Sequence, residues 1–558
     1  MSDGAFPTAG GERISGERLT PAYRPSQVEK QAPCQTGCPN CGDIRGWIGT
    51  VAQRDKLGLS NEQAYERAWR MITDVNPFPS VLGRVCPHPC ESHCNRSEHD
   101  EPLAINAMER FLGDWAIDVG LPLATIDGEA GPEWIGVVGA GPSGMSFAYQ
   151  MARRGYRVTV YEGRDQAGGM LRFGIPDYRL PPAVLDAEVK RIERLGVELQ
   201  LETSVGRDIS LEELKQRHAA LYLGIGAQAG RGLGIPGEDG SGVWTGTEFL
   251  SLVNCGEPVE LGPSVAVIGG GNTAIDAARA ARRAGAEVTI LYRRSRTEMP
   301  AIEHEVEDAI EEGVELVLLA SPVRLERQDG ELRTLVVQRM ELGEPDESGR
   351  RRPVPIPGSE FEIPVSAMIA AVSQAPDIRG FEDLDQDGGW FLTGNGGAID
   401  DGIFAGGDAL GLGIAGMAIV QGRHAAEALH ARLRGLEPQA VTPDVDSQLV
   451  GPDEIIMEFH DKRPPVHAER LTPEERLAQP LAEVSGTITE EQFLEETSRC
   501  FSCGSCFGCE QCEMFCTSGC FTKLEEVGPG VYFTLTLEQC QECGKCAEVC
   551  PCGFLEVH

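Results

Sequence analysis

Two apolar runs, each followed by a glycine-rich turn and a helical segment, set the pattern of the chain. The first run, Ile135 to Val138, predicts a buried strand, and a helix continues from its turn towards Arg154. The second run, Val265 to Ile268, is followed by the same kind of turn and helix. Further strand and helix signals alternate around both, so we expect an α/β fold.

Polar and helical segments flank this α/β region on both sides. Residues 1 to 30 are polar and rich in proline and glycine, and they predict an extended arm. Two helices follow, near residues 43 to 52 and 61 to 72, and Ser60 with Gln63 predicts a capping box for the second. Residues 436 to 488 have little periodicity and predict a surface linker, after which a helix runs from about 490 to 498.

The first glycine turn has the spacing of a dinucleotide-binding site. Gly139 permits a tight turn, Gly141 lets the backbone approach a pyrophosphate, and Gly144 lets the helix pack close to the strand. The phosphates would lie at the helix N-terminus. The next strand, residues 157 to 161, ends at Glu162, whose carboxylate can bind a ribose hydroxyl. Such turns can also serve packing alone, but the flanking strand, helix and acid favour a nucleotide site.

The second turn predicts another nucleotide site. Its strand, turn and helix repeat the order of the first, and its turn residues are Gly269, Gly271, Asn272, Thr273 and Ala274. The following strand, residues 287 to 292, ends in Arg293 and Arg294 and not in an acid. Two guanidinium groups there favour a 2'-phosphate, and hence NADP over NAD; the alternative is that both arginines face solvent.

Cysteines supply the second kind of chemistry. The chain has 19 of them, and all but Cys255 fall in two regions, one near each end. Near the C-terminus, two runs of the form Cys-x2-Cys-x2-Cys-x3-Cys make a doubled ferredoxin signature, in which the fourth cysteine of each run binds the other cluster. The expected ligands are Cys506, Cys509, Cys512 and Cys550 for one cluster, and Cys540, Cys543, Cys546 and Cys516 for the other.

The N-terminal cysteines form two groups on either side of a predicted helical hairpin. They are Cys34, Cys38 and Cys41 in the first group, and Cys86, Cys90 and Cys94 in the second. Cys38 and Cys41 could form one knuckle of a zinc site. The four-residue spacings and the Cys-Pro dipeptides favour cubane iron–sulfur clusters instead.

Composition narrows the class of function. The formal net charge of −37 argues against nucleic acid or an anionic membrane surface as a partner. The N-terminus is polar, without an apolar leader, so we expect a cytoplasmic protein with reduced thiols. Residues 402 to 422 are weakly polar, but Asp408 and several glycines among them suit a nucleotide-facing loop better than a membrane span.

Together these motifs resemble those of the NAD(P)H:acceptor oxidoreductase family that includes the small subunit of NADPH-dependent glutamate synthase. The segments that carry the resemblance are Cys34-x3-Cys38-Pro39, Gly83-Arg-Val-Cys86-Pro, Gly139 to Gly144, the Gly168 to Pro176 loop, Gly269 to Ala274 and Gly406-Gly-Asp408. The family implies one FAD, one NADP(H) or NAD(H) site and N-terminal 4Fe-4S clusters. The loop with Gly169 and Arg172 would lie against the flavin, and Gly407 and Asp408 would face its ribityl and pyrophosphate part.

The expected architecture combines the motifs with this resemblance. We expect two interleaved Rossmann-like domains, an α-helical N-terminal iron–sulfur domain and a C-terminal α+β ferredoxin domain. The expected segments are the arm (1–30), the helical iron–sulfur domain (31–125), the FAD domain (126–255 and 376–435), the NAD(P)H domain (256–375), the linker (436–488) and the ferredoxin-like domain (489–558).

The chain departs from the family in one place. In relatives an Arg-Cys-Leu-x-Cys segment precedes the first motif and supplies two ligands, whereas residues 28 to 33 contain no cysteine. Arg499-Cys500-Phe-Ser-Cys503 resembles that segment moved to the other end of the chain. The resemblance therefore implies one cluster on Cys34, Cys94, Cys500 and Cys503, and another, nearest FAD, on Cys38, Cys86, Cys90 and Glu109. Cys41 is the alternative local ligand, and Cys255, Cys520 and Cys552 have no assigned role.

The expected chemistry is hydride transfer between a nicotinamide and the flavin, followed by single-electron transfer through four 4Fe-4S clusters, without a catalytic acid or base. The partner would be a ferredoxin or an oxidoreductase subunit, because no pocket for a carbon or sulfur substrate is evident. The fused ferredoxin resembles subunits linked to dissimilatory sulfite reductase or to 2-oxoacid oxidoreductases. The alternatives are the glutamate synthase small subunit itself and a non-catalytic redox sensor or scaffold. A homodimer is compatible with the sequence.

Overall fold

The computed structural model describes residues 24–126, 131–346, 349–437 and 448–557. The chain forms two compact units. The main unit comprises Pro33–Ser447 and Lys462–Cys500, and the terminal unit comprises Met1–Ala32, Gln448–Asp461 and Phe501–His558. Residues 1–23 of the expected arm and 438–447 of the expected linker lie outside the described residues.

The α-helices are α1 (Pro33–Gly37), α2 (Ile44–Ala52), α3 (Asn61–Thr73), α4 (Pro79–Val85), α5 (Pro89–Ser92), α6 (Ile105–Asp118), α7 (Pro142–Arg153), α8 (Met170–Phe173), α9 (Pro182–Glu193), α10 (Leu211–Arg217), α11 (Gly246–Asn254), α12 (Asn272–Arg283), α13 (Glu303–Glu311), α14 (Ala415–Arg434), α15 (Pro473–Ala478), α16 (Glu490–Ser498), α17 (Gln511–Phe515) and α18 (Lys545–Glu548). The β-strands are β1 (Pro25–Gln27), β2 (Trp134–Val138), β3 (Arg157–Tyr161), β4 (Glu198–Gln200), β5 (Ala220–Leu223), β6 (Ala229–Gly230), β7 (Val243–Thr245), β8 (Ser264–Ile268), β9 (Glu287–Tyr292), β10 (Glu315–Leu318), β11 (Ala320–Gln328), β12 (Glu331–Pro345), β13 (Arg351–Pro364), β14 (Ala367–Ala370), β15 (Gln374–Ala375), β16 (Gln386–Asp387), β17 (Trp390–Phe391), β18 (Ala398–Asp400), β19 (Ile403–Ala405), β20 (Phe521–Gly528), β21 (Val531–Leu535) and β22 (Leu555–Val557).

A six-stranded sheet carries the first glycine turn near its middle. Its order is β18-β19-β5-β2-β3-β4, and all strands except the edge strand β18 are parallel to their neighbours. Helices α7 and α14 cover it through Phe147 and Leu429, which pack with Ile135 and Val137 of β2. Val138 at the end of β2 is in register with Tyr161 and Leu223. The first turn therefore opens at the carboxyl edge of a parallel sheet, where ligands of such folds bind.

A five-stranded parallel sheet in the order β10-β9-β8-β14-β7 carries the second turn. Ile268 at the end of β8 is in register with Leu291 and Ala370, so the turn again begins at the carboxyl edge. Strands β11, β12 and β13 form an antiparallel insertion between β10 and β14. Leu335 and Val337 of this insertion pack in one core with Ala266 and Leu291 of the parallel sheet.

The N-terminal helices form a cluster to which α16 returns from far along the chain. Ser60 caps α3 in the expected capping box with Gln63. Phe493 of α16 is fully buried and stacks on Phe111 with ring centroids 4.2 Å apart, and its ring meets the edge of Tyr65 at 5.3 Å. The periodicity of residues 490 to 498 predicted this helix, but not the place where it docks.

Residues 466–488, which we call the strap, lie across several parts of the main unit. Arg476 is buried and pairs with Asp308 of α13 at 3.2 Å. Glu483 accepts from Arg84 at 2.7 Å, and the Val484 amide donates to the Tyr178 carbonyl at 2.9 Å. The expectation of a linker over residues 436–488 did not anticipate these contacts, because they depend on partners remote in sequence.

The terminal unit is built around two short antiparallel pairings. Strand β1 pairs with β22, and β20 pairs with β21 as a hairpin. Lys30 is buried, and its ammonium contacts the carboxylates of Glu454 and Glu556. The described part of the expected arm is therefore a strand and an ion-paired lysine of this unit. Among the described residues, no helix has the length and apolar character needed to cross a membrane.

Candidate functional site: two nucleotide turns and buried thiols

The three glycines of the first turn have different surroundings. Gly139 has a φ of +95°, and a methyl group on it would stand 2.3 Å from the Gly224 carbonyl oxygen. A methyl group on Gly144 would stand 2.0 Å from the Gly139 carbonyl oxygen, so only glycine permits this helix start. At Gly141, by contrast, the nearest atom is the Gly169 Cα at 3.8 Å. The open space beside Gly141 fits an approaching pyrophosphate.

The loop and acid expected around this turn are close to it. Glu162 is buried at the end of β3, where its Oε2 accepts from the Ala140 amide at 2.8 Å and its Oε1 from the Arg164 amide at 2.9 Å. Gly169 lies against the turn, since a methyl group on it would be 2.8 Å from the Gly141 Cα. Arg172 donates to the Ala167 carbonyl at 2.6 Å and pairs with Asp186, so its guanidinium holds the loop together.

Gly407 and Asp408 reach the same region from the end of β19. A methyl group on Gly407 would be 2.8 Å from the Ser143 Cβ, so this loop meets the N-terminus of α7. Asp408 accepts from the Gly413 amide at 3.0 Å, and burial raises its pKa. The structure thus brings Asp408 to the glycine turn from a strand far along the chain.

The second turn opens into a large cavity. Gly269 has a φ of +148°, and a methyl group on it would be 2.3 Å from the Ala371 carbonyl oxygen. Gly271 again faces open space, with its nearest contact, Pro300, at 4.0 Å. Asn272 accepts from the Ile302 amide at 2.9 Å, and Ala274 is buried against β8. The cavity has a volume of about 760 Å³, and Gly271, Asn272 and Thr273 lie in its wall.

Both arginines at the end of β9 lie in the wall of this cavity, together with Arg350 of the insertion. Arg293 is exposed there. Arg294 is buried, and its guanidinium donates from Nε to the Arg351 carbonyl at 2.8 Å and from Nη2 to Asp346 at 2.5 Å. The sequence pattern predicted that Arg293 and Arg294 bind a phosphate as a pair. No pattern in the sequence indicated Arg350, which reaches the cavity only through the folding of β12 and β13.

Three thiols and one carboxyl group surround a small cavity among the N-terminal helices. Cys38, Cys86, Cys90 and Glu109 line it, and its volume is about 50 Å³. Burial raises the pKa of Glu109 to about 7 and that of the Cys86 thiol to about 12. Burial also raises the pKa of Cys38 and Cys90. These three thiols and the carboxyl group keep their protons when no cation is near. They therefore fit a site whose ligand brings positive charge, as iron does.

Cys34, Cys94 and Cys500 belong to the same helical cluster. All three lie in one core with Phe493 and Met108, and that core also contains Cys38 and Cys90. The residue before Cys500 explains why the chain returns there. Arg499 is buried, pairs with Glu496 at 2.6 Å and with Asp100 at 3.3 Å, and thereby attaches the end of α16 to the loop after Cys94. Cys503 belongs to the terminal unit, where it packs with Val450 and Phe501.

Residues 133–429, more than half of the chain, match the family model described as pyridine nucleotide-disulphide oxidoreductase. Residues 15–121 match the model of dihydropyrimidine dehydrogenase domain II, 4Fe-4S cluster. The chain belongs to the pyridine nucleotide-disulphide oxidoreductase family. It is an oxidoreductase with a mixed α/β fold and a 4Fe-4S domain at its N-terminus.

Named relatives agree with this assignment. The oxidoreductase is 38% identical over 514 residues to the NADP(+)-dependent formate dehydrogenase subunit beta of Moorella thermoacetica, with 85% of this chain and 70% of the relative covered. It is 40% identical over 374 residues to the NADPH-Fe(3+) oxidoreductase subunit beta of Geobacter sulfurreducens (strain DL-1 / KN400), with 64% of this chain and 54% of that relative covered. It is 34% identical over 424 residues to the glutamate synthase [NADPH] small chain of Azospirillum brasilense, with 71% of this chain and 86% of the relative covered. The chain thus spans about half the length of the Geobacter relative, and the resemblance to the glutamate synthase small-subunit family is confirmed.

The terminal unit of the oxidoreductase brings four of the predicted thiols together. Cys506, Cys509, Cys512 and Cys550 line one small apolar cavity, with Phe507, Phe533 and Cys552 also in its wall. Cys552, for which the sequence suggested no role, has its Sγ 3.8 Å from that of Cys550. The hydrogen bond from the Cys552 thiol lowers the pKa of Cys550 to about 6. Cys552 is thus a neighbour of a predicted ligand.

The other predicted set, Cys516, Cys540, Cys543 and Cys546, is accompanied by Cys520. The Cys520 amide donates to the Cys516 sulfur at 3.3 Å. Burial raises the pKa of the Cys520 thiol to about 12, and hydrogen bonding to Cys516 adds to the increase. Cys520 therefore lies beside this set of thiols, as Cys552 lies beside the first.

Within the described ranges, no group of three or more His, Cys, Asp or Glu side chains could hold a single metal ion. A cubane binds one ligand at each iron atom, so its ligands surround the cluster and need not converge on one point. Backbone amides also point at sulfur in a repeated geometry, from His88 to Cys86, from Gly508 to Cys506 and from Glu542 to Cys540, each at 3.4 Å.

Proposed function

We propose that this oxidoreductase transfers electrons between NADP(H) and a protein redox partner through FAD and four 4Fe-4S clusters, as the electron-input or electron-output subunit of a larger complex. One observation carries the proposal. The wall of the 760 Å³ cavity contains the second glycine turn and also Asp408 and Leu412, which follow β19 of the first sheet. A nucleotide on the second turn would therefore extend towards the site predicted for FAD.

The two parallel sheets act in this proposal as interleaved Rossmann-like domains. Gly139, Gly141, Gly144, Glu162, Gly169, Gly407 and Asp408 would hold FAD, and Gly269, Gly271, Asn272, Thr273 and Ala274 would hold NADP(H). When bound, FAD exchanges a hydride with the nicotinamide and single electrons with the clusters. The residues of the chain bind phosphate at the starts of α7 and α12, orient the two nucleotides and exclude water. Arg172 would act indirectly, by holding the Gly168–Gly169 loop.

The clusters would use the four sets of donors named from the sequence. The sets with Cys38, Cys86, Cys90 and Glu109, and with Cys506, Cys509, Cys512 and Cys550, are supported by their shared cavities. The set with Cys34, Cys94, Cys500 and Cys503 has its first three members in the core that also contains Cys38 and Cys90. Trp47, Ile72 and Leu82 line the Cys38 cavity and would keep water from the cluster, and amide-to-sulfur hydrogen bonds would raise its reduction potential.

The names of the Moorella, Geobacter and Azospirillum relatives all contain NADP or NADPH, which supports NADP(H) over NAD(H). The Moorella alignment covers 85% of this chain and the Azospirillum alignment 71%. The Moorella relative thus matches more of this chain than the Azospirillum small chain does, which favours a subunit of that longer kind over the glutamate synthase small subunit. The terminal unit would be the docking site for the partner, whether a formate dehydrogenase, another oxidoreductase subunit or a ferredoxin.

The test is anaerobic reduction of the purified protein, loaded with FAD and iron, by NADPH and separately by NADH. We expect NADPH to bleach the flavin absorbance and to support catalytic reduction of a viologen dye. NADH should be the poorer donor. A protein that holds both cofactors but reduces no dye with either nucleotide would contradict the proposal and favour a redox sensor.

A further inference from the structure

Arg294 is held in place by the insertion, and this changes which side chains can bind a coenzyme phosphate. It is only 5% exposed. Its Nη2 donates to the Asp346 carboxylate at 2.5 Å and its Nε to the Arg351 carbonyl at 2.8 Å. A guanidinium donates through a fixed fork, and these two bonds direct that fork towards the insertion. Arg294 therefore joins the carboxyl end of β9 to the end of β12 and the start of β13.

Arg294 contacts the chain beside strands β12 and β13, where the described residues are bonded to each other. Pro345 and Arg351 pair across the two strands. The Asp346 amide donates to the Arg350 carbonyl at 2.8 Å, and the Gly349 amide donates to the Asp346 carbonyl at 2.9 Å. Gly349 has a φ of +77°, which favours glycine at this position. These bonds join the backbone of Arg350 to Asp346, whose carboxylate accepts from Arg294 at the end of β9.

Arg350 lies in the wall of the 760 Å³ cavity, as does Arg293. The end of the second strand of a dinucleotide fold is where the adenosine ribose is bound. Among the described residues between β12 and β13, the one acid, Asp346, is paired with Arg294 and is not part of the cavity wall. The described charged side chains in the wall at this point are those of Arg293, Arg294 and Arg350, although the whole chain carries a formal net charge of −37.

We propose that Arg350 and Arg293 together bind the 2'-phosphate of NADP(H), and that Arg294 acts as a positioning residue that holds the Arg350 turn against β9. This inference rests on the proposed function, in which the cavity takes NADP(H), and it identifies the residues that select that coenzyme. Selectivity would then depend on the antiparallel insertion as well as on the dinucleotide fold.

The direct test compares two probes, 2',5'-ADP and 5'-AMP, which differ only in the 2'-phosphate, by calorimetric titration of the FAD-loaded protein. Arg350→Ala should weaken 2',5'-ADP binding by about tenfold or more, because hydrogen bonds to charged groups are worth at least that much, and should leave 5'-AMP binding unchanged. Arg352→Ala is the matched control. Arg352 is exposed on β13 and lies outside the cavity wall, so both probes should bind that variant as they bind the wild type.

The Asp346→Ala variant distinguishes the positioning role of Arg294 from a simple charge effect, because the two predict opposite changes in 2',5'-ADP affinity. Asp346→Ala removes a negative charge near the site, which by charge alone should tighten 2',5'-ADP binding. If Asp346 and Arg294 hold the turn, the same variant should weaken 2',5'-ADP binding several-fold without changing 5'-AMP binding. Tighter binding in Asp346→Ala would overturn the positioning role of Arg294.

The remaining outcomes separate this inference from the proposed function. Unchanged 2',5'-ADP binding in Arg350→Ala, an equal loss of both probes, or an equal effect of Arg352→Ala would overturn the inference, even if the wild type reduces dye with NADPH. Arg350-dependent 2',5'-ADP binding in a protein that reduces no dye would support the inference and overturn only the electron-transfer function. A wild type that binds 5'-AMP as tightly as 2',5'-ADP would overturn the 2'-phosphate site.

Discussion

Gly141 and Gly144 lie in the same turn, yet a methyl group on each would meet different surroundings. At Gly144 the methyl group would collide with the Gly139 carbonyl oxygen at 2.0 Å. At Gly141 the nearest protein atom is 3.8 Å away, and the backbone has a φ of −77°, which any residue can adopt. Gly144 is thus required by the fold, whereas no contact among the described residues requires glycine at position 141. The same contrast separates Gly269 from Gly271 in the second turn.

We therefore predict opposite results for two alanine variants. Gly144→Ala should lower the stability of the protein with or without FAD, by about 1–3 kcal/mol, because the turn must move to make room. Gly141→Ala should change the stability of the FAD-free protein by less than about 0.5 kcal/mol and weaken FAD binding at least about tenfold. Thermal unfolding without FAD and fluorescence titration with FAD measure the two effects. Equal FAD affinity in Gly141→Ala and wild type would contradict the assignment of this turn.

The strap shows how a segment without strong periodicity becomes part of the structure. Its Arg476 is buried against three acids of α13 and its end, Asp308, Glu311 and Glu312. Glu483 at the other end contacts Arg84 at 2.7 Å and Arg110 at 2.9 Å. Buried charges of this kind are costly to leave without partners, so they fix the path of the strap. The strap thereby joins α13 to the helices around the N-terminal thiols.

Arg476→Ala should destabilise the main unit by on the order of 3 kcal/mol, because it leaves buried carboxylates with fewer cations. The measurement is the midpoint of thermal unfolding of the cofactor-loaded protein. Arg333→Ala is the control, since Arg333 and its partner Glu331 are 58% and 70% exposed. Exposed pairs contribute little, so this control should stay within about 0.5 kcal/mol of the wild type. Similar losses in both variants would show that the strap is not held by its buried charges.

The two ends of the chain contribute to one helical cluster. Helix α16 returns through Phe493 and Arg499 to the helices that carry Cys34 and Cys94, and this places Cys500 in their core. Cys503 is three residues beyond Cys500, and an extended chain of that length spans about 10 Å. Residues 28 to 33 contain no cysteine, and the prediction is that Cys500 and Cys503 of the returning segment supply the ligands in their place.

Replacing the displaced ligands should remove one cluster. The double variant Cys500→Ala, Cys503→Ala should lose about four of roughly sixteen iron atoms, because each 4Fe-4S cluster needs its protein ligands. Iron analysis of anaerobically purified protein measures this, with Cys255→Ala as the control because Cys255 is exposed and outside both cysteine regions. If the double variant keeps its iron and Cys41→Ala loses iron, then Cys41 is the ligand and the displaced-ligand prediction is wrong.

Sequence alone determined the features that depend on neighbours along the chain. The glycine turns, the capping box at Ser60, the ends of β3, β9 and α16, and the spacing of the thiols all follow from local backbone geometry and short-range periodicity. It also predicted that Cys550 would join Cys506, Cys509 and Cys512, because the doubled ferredoxin spacing carries that information.

Only the tertiary structure decided which charged groups meet. Arg294 looks in the sequence like a second phosphate ligand, but its guanidinium is bound to Asp346 and to the Arg351 carbonyl. Arg350 follows β12, and it enters the cavity wall because Leu335 and Val337 of β12 pack in one core with Leu291 of β9. The pairing of Arg476 with Asp308 and the docking of Phe493 on Phe111 have the same origin. A charge or an aromatic ring is visible in the sequence, but its partner is chosen by the packing of elements far apart in the chain.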